Sequence, residues 1–210
     1  MRFILPAIVV ITLCGANGLE ESEALLSRLE KSFSSIKTVQ ASVKQVKNLA
    51  VFDRKMVLTG RVYIENPDRL AWHIEKPVRY SIVIDGDNMK QWDEESGSVQ
   101  KFSIVGNPVF GIVSEQLKKW FSGRYTELRK EYEVSVVTEK PALTLKFVPR
   151  PETATAGVMK EVSVRLAEDE RYISEIRIED GTGGLTTIVF SDTVLNKPVP
   201  PDAWEVGNGE

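Results

Sequence analysis

The segment from Leu58 to Gly86 restricts what this chain can fold into more than any other part of it. Leu70, Trp72 and Ile74 alternate there with Ala71, His73 and Glu75, the period-two pattern of a strand with one apolar face. Asn66-Pro67-Asp68 lies ahead of that strand and Lys76-Pro77 behind it. A second apolar run, Ile82 to Ile84, ends at Asp85-Gly86-Asp87. Proline, asparagine, aspartate and glycine in these places are turn chemistry, so the segment predicts three consecutive strands joined by tight turns. Strands joined so closely pair antiparallel.

The same punctuation continues along the chain. Strands are expected near 38–49, 54–65, 69–75, 80–85, 88–94 and 98–104, then near 131–138, 142–149, 157–168, 172–180 and 184–193. Two stretches carry the helical period instead. Leu25, Leu26, Leu29, Phe33 and Ile36 predict a helix from Glu20 to about Ser35. Phe110, Val113, Leu117, Trp120 and Phe121 predict another over 107–123, with Asn107 as N-cap, Pro108 at the first position and Gly123 as its stop. The last stretch, Asn196 to Trp204, is rich in proline and reads as an extended surface tail. A sheet of about eleven antiparallel strands curls rather than staying flat. The expected fold is α+β: an incomplete antiparallel β-barrel covered by lid helices, enclosing either a packed core or a hydrophobic cavity.

Residues 1–18 have the layout of a signal peptide: Arg2, an apolar run from Phe3 to Leu13, and small residues at Cys14 to Gly18. The run is too short to span a bilayer, and Leu13 is too large for a lipoprotein cleavage site ahead of Cys14. The expected mature domain, 19–210, is then free of cysteine, which excludes disulfides and thiol chemistry. Without Arg2, 26 basic residues face 30 acidic ones with no basic block, so nucleic acid is not an expected partner. His73 is the sole histidine and is expected on the solvated face, so neither a zinc site nor a Ser-His-Asp arrangement can be assembled. Asp85/Asp87, Asp93/Glu94/Glu95 and Glu168/Asp169/Glu170 all fall at predicted turns, and Gly181 to Gly184 joins two strands rather than a strand and a helix. No catalytic residue, metal or cofactor is expected. Trp72, Trp92, Phe102, Phe110, Trp120, Phe121 and Phe147 fall on predicted apolar faces and belong either to a core or to a pocket.

Gly60, Asn66-Pro67, Leu70-Ala71-Trp72, Lys76-Pro77 and Asp85-Gly86, followed by the 107–123 helix and the strands around Ile176 to Phe190, resemble the LolA family of periplasmic lipoprotein carriers. The resemblance covers essentially the whole mature chain. It implies an open half-barrel whose lid helices close a hydrophobic cavity. Its cargo would be an acylated lipoprotein, received from an inner-membrane exporter and passed to an outer-membrane acceptor by a periplasmic monomer. On that reading Leu70, Trp72, Ile82, Ile84, Phe102, Phe110, Trp120 and Phe121 line the cavity or its lid. A glycolipid or pigment-like lipid tied to a dedicated export system is an alternative cargo. A sensory or scaffolding half-barrel that binds a membrane protein's periplasmic segment is an alternative role, although the chain ends soon after its last strand. One position departs from the pattern. Well-studied members carry an arginine directly before the turn proline, where it bonds to the lid and holds the empty cavity closed. This chain has Asn66 there, with Arg61 and Arg69 as possible substitutes.

Overall fold

Strand order explains why a lid exists at all. The eleven strands form one antiparallel sheet in the order β6-β5-β4-β3-β2-β1-β11-β10-β9-β8-β7. In this computed structural model, which describes residues 16–48, 55–104, 108–139 and 142–207, two meanders meet where β1 pairs with β11. The first is β1 (Thr38–Asn48), β2 (Lys55–Glu65), β3 (Arg69–Lys76), β4 (Tyr80–Asp85), β5 (Asn88–Asp93) and β6 (Val99–Ser103). The second is β7 (Tyr132–Glu139), β8 (Ala142–Pro149), β9 (Met159–Leu166), β10 (Ile173–Asp180) and β11 (Leu185–Leu195). Consecutive strands β6 and β7 therefore lie at opposite edges. The chain between them has to cross the whole sheet, and it does so as α2 (Pro108–Ser122) and α3 (Tyr125–Leu128). Beside them packs α1 (Ala16–Phe33). The sheet curls over these helices without closing, so the architecture is an open half-barrel.

The alternation read from sequence sorts the two faces. Val39, Ala41 and Val43 of β1, Leu58, Val62 and Ile64 of β2, and Leu70, Trp72 and Ile74 of β3 are buried on the helix side. They meet Leu26, Leu29 and Phe33 of α1, which recur three and four residues apart on one stripe. α1 stops where Ser34 and Ser35 turn their hydroxyls back onto the carbonyls of Lys31 and Ser32, at 2.9 and 2.8 Å. It starts earlier than sequence periodicity suggested, at Ala16 rather than Glu20. The predicted N-cap Asn107 lies outside the described residues, while Pro108 opens α2 as expected.

Two glycines set how closely the layers approach. Gly60, at an irregularity in the β2–β3 pairing, faces the backbone of β3 so closely that a Cβ would sit 1.8 Å from the His73 carbonyl oxygen. Gly123 ends α2 at φ +72°, and a Cβ there would lie 2.3 Å from Cβ of Phe33. The first lets the sheet coil; the second lets α2 end against α1.

The tail is not simply extended. After Thr38 and Gln40 bind the carbonyls of Lys197 and Pro198, it runs over the outer face of β3–β5 and forms a 3-10 turn at Pro201–Trp204. A second, small core results: Ala71, Val83 and Ala203 are buried there, away from the main one. The Arg69 guanidinium stacks 4.0 Å from the Trp204 ring. His73 is no plain surface residue either. Its Nε2 lies 2.8 Å from the Ala203 carbonyl oxygen, which can only accept, so in the neutral ring Nε2 carries the proton and Nδ1 accepts from Ser81 Oγ at 3.0 Å. Trp92 belongs to this face as well, against Gly207 rather than in the main core.

Candidate functional site

Between α2 and the concave face of the sheet lies a cavity of about 370 Å³. Its floor is Leu70 and Trp72 of β3, Tyr80, Ile82 and Ile84 of β4, and Met89 of β5. The far wall is Met159, Ile178 and Ile188, contributed by β9, β10 and β11. The roof is the ridge of α2 that carries every third residue, Ser114, Leu117 and Trp120. One rim is polar, made by Gln45 and Lys47 of β1 and Thr186, which pairs directly with Lys47. The size falls within the usual range of small-molecule sites, roughly 300–1,000 Å³, and the lining is that of an apolar ligand. A larger cleft of about 460 Å³ lies under the tail on the outer face. Its walls include Arg61, Glu75, Asp202 and Glu205, which suit no hydrocarbon.

Of the eight residues expected from sequence, Leu70, Trp72, Ile82, Ile84 and Trp120 meet around this one cavity. Phe121 does not line it. One residue on from Trp120, it is rotated about 100° around α2 and seats its ring edge-on against Phe190 at 5.4 Å, which in turn meets Trp72 at 6.1 Å. Phe102, half-buried on the edge strand β6 opposite Met89, packs at the margin of the core. Phe110 sits in the first turn of α2, and its side chain is outside the described residues. Tyr80, Met89, Met159, Ile178 and Ile188 were missed as lining. Each lies on the helix-facing side of its strand, but only pairing across the sheet brings β9–β11 round to face β3–β5.

The lid is held on two sides of its C-terminal half by charge-assisted contacts. Lys118, its side chain only 10% exposed, donates to the Gly86 carbonyl at 3.2 Å and lies 3.9 Å from Asp68. These groups belong to the β4–β5 and β2–β3 turns. Lys119 donates to Glu131 at 2.6 Å and Gln116 to the other Glu131 oxygen at 2.8 Å. Asn66 does not touch the lid: its side chain donates to the Ile36 carbonyl at 2.9 Å and ties the turn after α1 to the β2–β3 corner. Neither substitute reaches the lid. Arg61 faces Glu75, and Arg69 bonds Glu65 and stacks on Trp204. The connection runs instead from lid to sheet, through Lys118.

Beneath α3 the core is aromatic. Tyr125 and Tyr132 are fully buried and meet Phe147. Burial pushes both phenols far above their ordinary range, with Glu30 and Glu131 respectively adding to the effect, so both stay neutral. Among the described residues no cluster of histidine, cysteine or carboxylates is arranged to hold a metal, and no helix is long and apolar enough to cross a membrane.

Known proteins with the same organisation share little sequence with it. An outer-membrane lipoprotein carrier protein of Pseudomonas putida (strain W619) is 22% identical over 196 residues, covering 92% of this chain and 85% of its own. The carrier of Halorhodospira halophila is 26% identical over 182 residues, 85% of this chain and 79% of its own. Among solved structures, the Pseudomonas aeruginosa MucA/MucB complex contains a chain that superposes with a TM-score of 0.50 at 14% identity, covering 89% of this chain and 61% of that one; this likeness is one of fold. Residues 34–206, nearly all of the half-barrel and its tail, match the family described as outer membrane lipoprotein carrier protein LolA, and the chain belongs to that family.

Proposed function

We propose that this protein is a periplasmic carrier that shields the acyl chains of a lipoprotein, or of a related lipid, in the cavity under α2 while the cargo crosses from inner to outer membrane. One observation carries the reading: an apolar cavity of about 370 Å³ roofed by a helix that Lys118 and Lys119 tie to the sheet's turns and to Glu131. Each methylene exposed to water costs roughly 0.8 kcal/mol, so an acyl anchor needs such a shelter. A lid that lifts reconciles tight shielding with release. No side chain is assigned a catalytic role. The exporter and acceptor that family membership suggests would be its partners at either membrane.

The first test is native mass spectrometry of the protein purified from a diderm periplasm. A co-purifying acylated species supports the carrier and names the cargo. Recovery with a membrane protein's periplasmic segment, and no uptake of added acyl chains, would replace the carrier by a sensor or scaffold, as the fold likeness to the MucA/MucB complex allows. The matching variant is Ile82→Glu. Trp72 is 8% exposed and packed on Phe190, so a charge there would threaten the fold itself. Ile82 lines the same cavity but is half-buried. Ile82→Glu should keep its circular dichroism and lose acyl binding at least tenfold; normal binding would move the site elsewhere.

A further inference from the structure

The cavity contains one feature that a pure hydrocarbon ligand does not need. Trp120 lines it, is 1% exposed, and its indole Nε1 has no acceptor among the described residues. The rest of the residue is fully engaged. Its carbonyl accepts from the Tyr125 hydroxyl and the Gly123 amide, both at 3.2 Å, and its ring packs against Phe147 at 6.3 Å. A buried tryptophan normally finds a partner for its N–H, and a donor left unpaired away from water is costly. One turn back on α2, Gln116 also has an unpartnered oxygen, but it does not line the cavity and its amide is committed to Glu131. If shape and hydrophobicity were all that position 120 supplied, phenylalanine would serve.

We infer that Trp120 Nε1 donates a hydrogen bond to the carbonyl oxygen of the bound acyl chain, so that the cavity selects ester-, thioester- or amide-linked acyl groups over polyenes and other hydrocarbon chains without an oxygen acceptor. This rests on the acyl-carrier reading above and narrows it. The selection works through desolvation. Water entering the empty cavity can pair with the indole N–H. A bare hydrocarbon displaces that water and leaves the donor unpaired, whereas a carbonyl takes the water's place. Discrimination by a buried polar group left without its partner is larger than a methylene more or less can supply.

The test uses the whole mature protein and two probes of equal chain length, methyl palmitate and n-octadecane, offered together at equal concentration. Native mass spectrometry separates the two adducts, and their ratio is the selectivity. The ester is expected to win by about tenfold. Trp120→Phe should bring the ratio close to one while still binding the alkane, and Gln116→Leu should leave it unchanged. In unaltered protein, the Trp120 indole N–H resonance should move downfield on adding the ester and not on adding the alkane, a readout that survives if the Phe variant misfolds. Equal binding of both probes by the wild type, a preference that persists in Trp120→Phe, or an indole resonance that ignores the ester would each overturn the inference while leaving the carrier standing. Binding of neither probe would remove the acyl cavity itself.

Discussion

Replacing Lys118 by methionine isolates the lid latch. Methionine keeps the unbranched stem and nearly the same helix propensity, so α2 should persist and only the ammonium is lost. Asp68 is mostly exposed and 3.9 Å away, so its pairing with Lys118 contributes little. The bond to the Gly86 carbonyl comes from a nearly buried cation, a class that contributes about 1.5–3 kcal/mol. At 3.2 Å the lower end applies, and about 1.4 kcal/mol is a factor of ten in the lid's open population. Hydrogen exchange read by mass spectrometry should therefore speed up about tenfold in α2. The on-rate of a fluorescent fatty acid should rise by a similar factor, because entry waits on the open state. Lys119→Met makes a comparison, since its partner Glu131 lies at the α3–β7 junction and its loss loosens α2 from that junction rather than from the sheet's turns. Unchanged exchange in α2 would mean that Lys118 is no latch. Faster exchange with an unchanged on-rate would mean that cargo enters by a route other than under α2.

Two further substitutions test the frame and its acid limit. Gly60→Ala places a methyl where the His73 carbonyl oxygen already sits, and since both are backbone neither can rotate away; a loss of about 3 kcal/mol in urea unfolding is expected, and a loss under 1 would show that the β2–β3 crossing is loose. Asp180 Oδ1 accepts from the Thr182 hydroxyl at 2.6 Å and from the amides of Gly184 and Thr182 at 2.9 and 2.8 Å, which holds its carboxyl below the ordinary range. A depressed native pKa contributes stability that is present above about pH 4, the unfolded value, and is lost as pH falls through the native one. Asp180→Asn should therefore weaken the protein at pH 6 and leave it nearly unchanged at pH 2; an equal loss at both would refute the assignment.

What could be read from sequence, and what could not, divides along physical lines. Every strand announced itself, because one apolar face imprints period two on the chain, and the curl follows from strand number. α3 was missed because four residues, Tyr125 to Leu128, carry no period. The second core did leave a signal that alternation alone obscures. Leu70-Ala71-Trp72 and Ile82-Val83-Ile84 are apolar without a break, and Ala71 pairs with Val83 on the outer face. A strand apolar on both faces is covered on both faces, and the tail is that cover. His73 and Trp92 were misjudged for the same reason: the outer face was taken as solvated. At the site, Trp120 and Phe121 could not be told apart, since only the rotation of α2 about its axis decides which neighbour faces the cavity and which faces Phe190.

That the cavity persists is itself informative, because an apolar space left unfilled costs a protein stability in proportion to its volume. The means of keeping it open can be located. The roof ridge runs Ser114, Leu117, Trp120, and its first member is small at a position that lines the cavity. Ser114 is nearly buried, so leucine there would point into the space rather than into water. Ser114→Leu should raise the thermal midpoint by a few degrees, the effect of about 1 kcal/mol in a chain of this length, and should cut acyl binding severely by occupying the same volume. If the half-barrel were merely a structural domain, the stabilisation would come with no loss. If the space were too tight, stability would fall instead. Only a gain in stability coupled to a loss of binding marks a cavity kept open for cargo, in which the missing side chain on α2 belongs to the ligand.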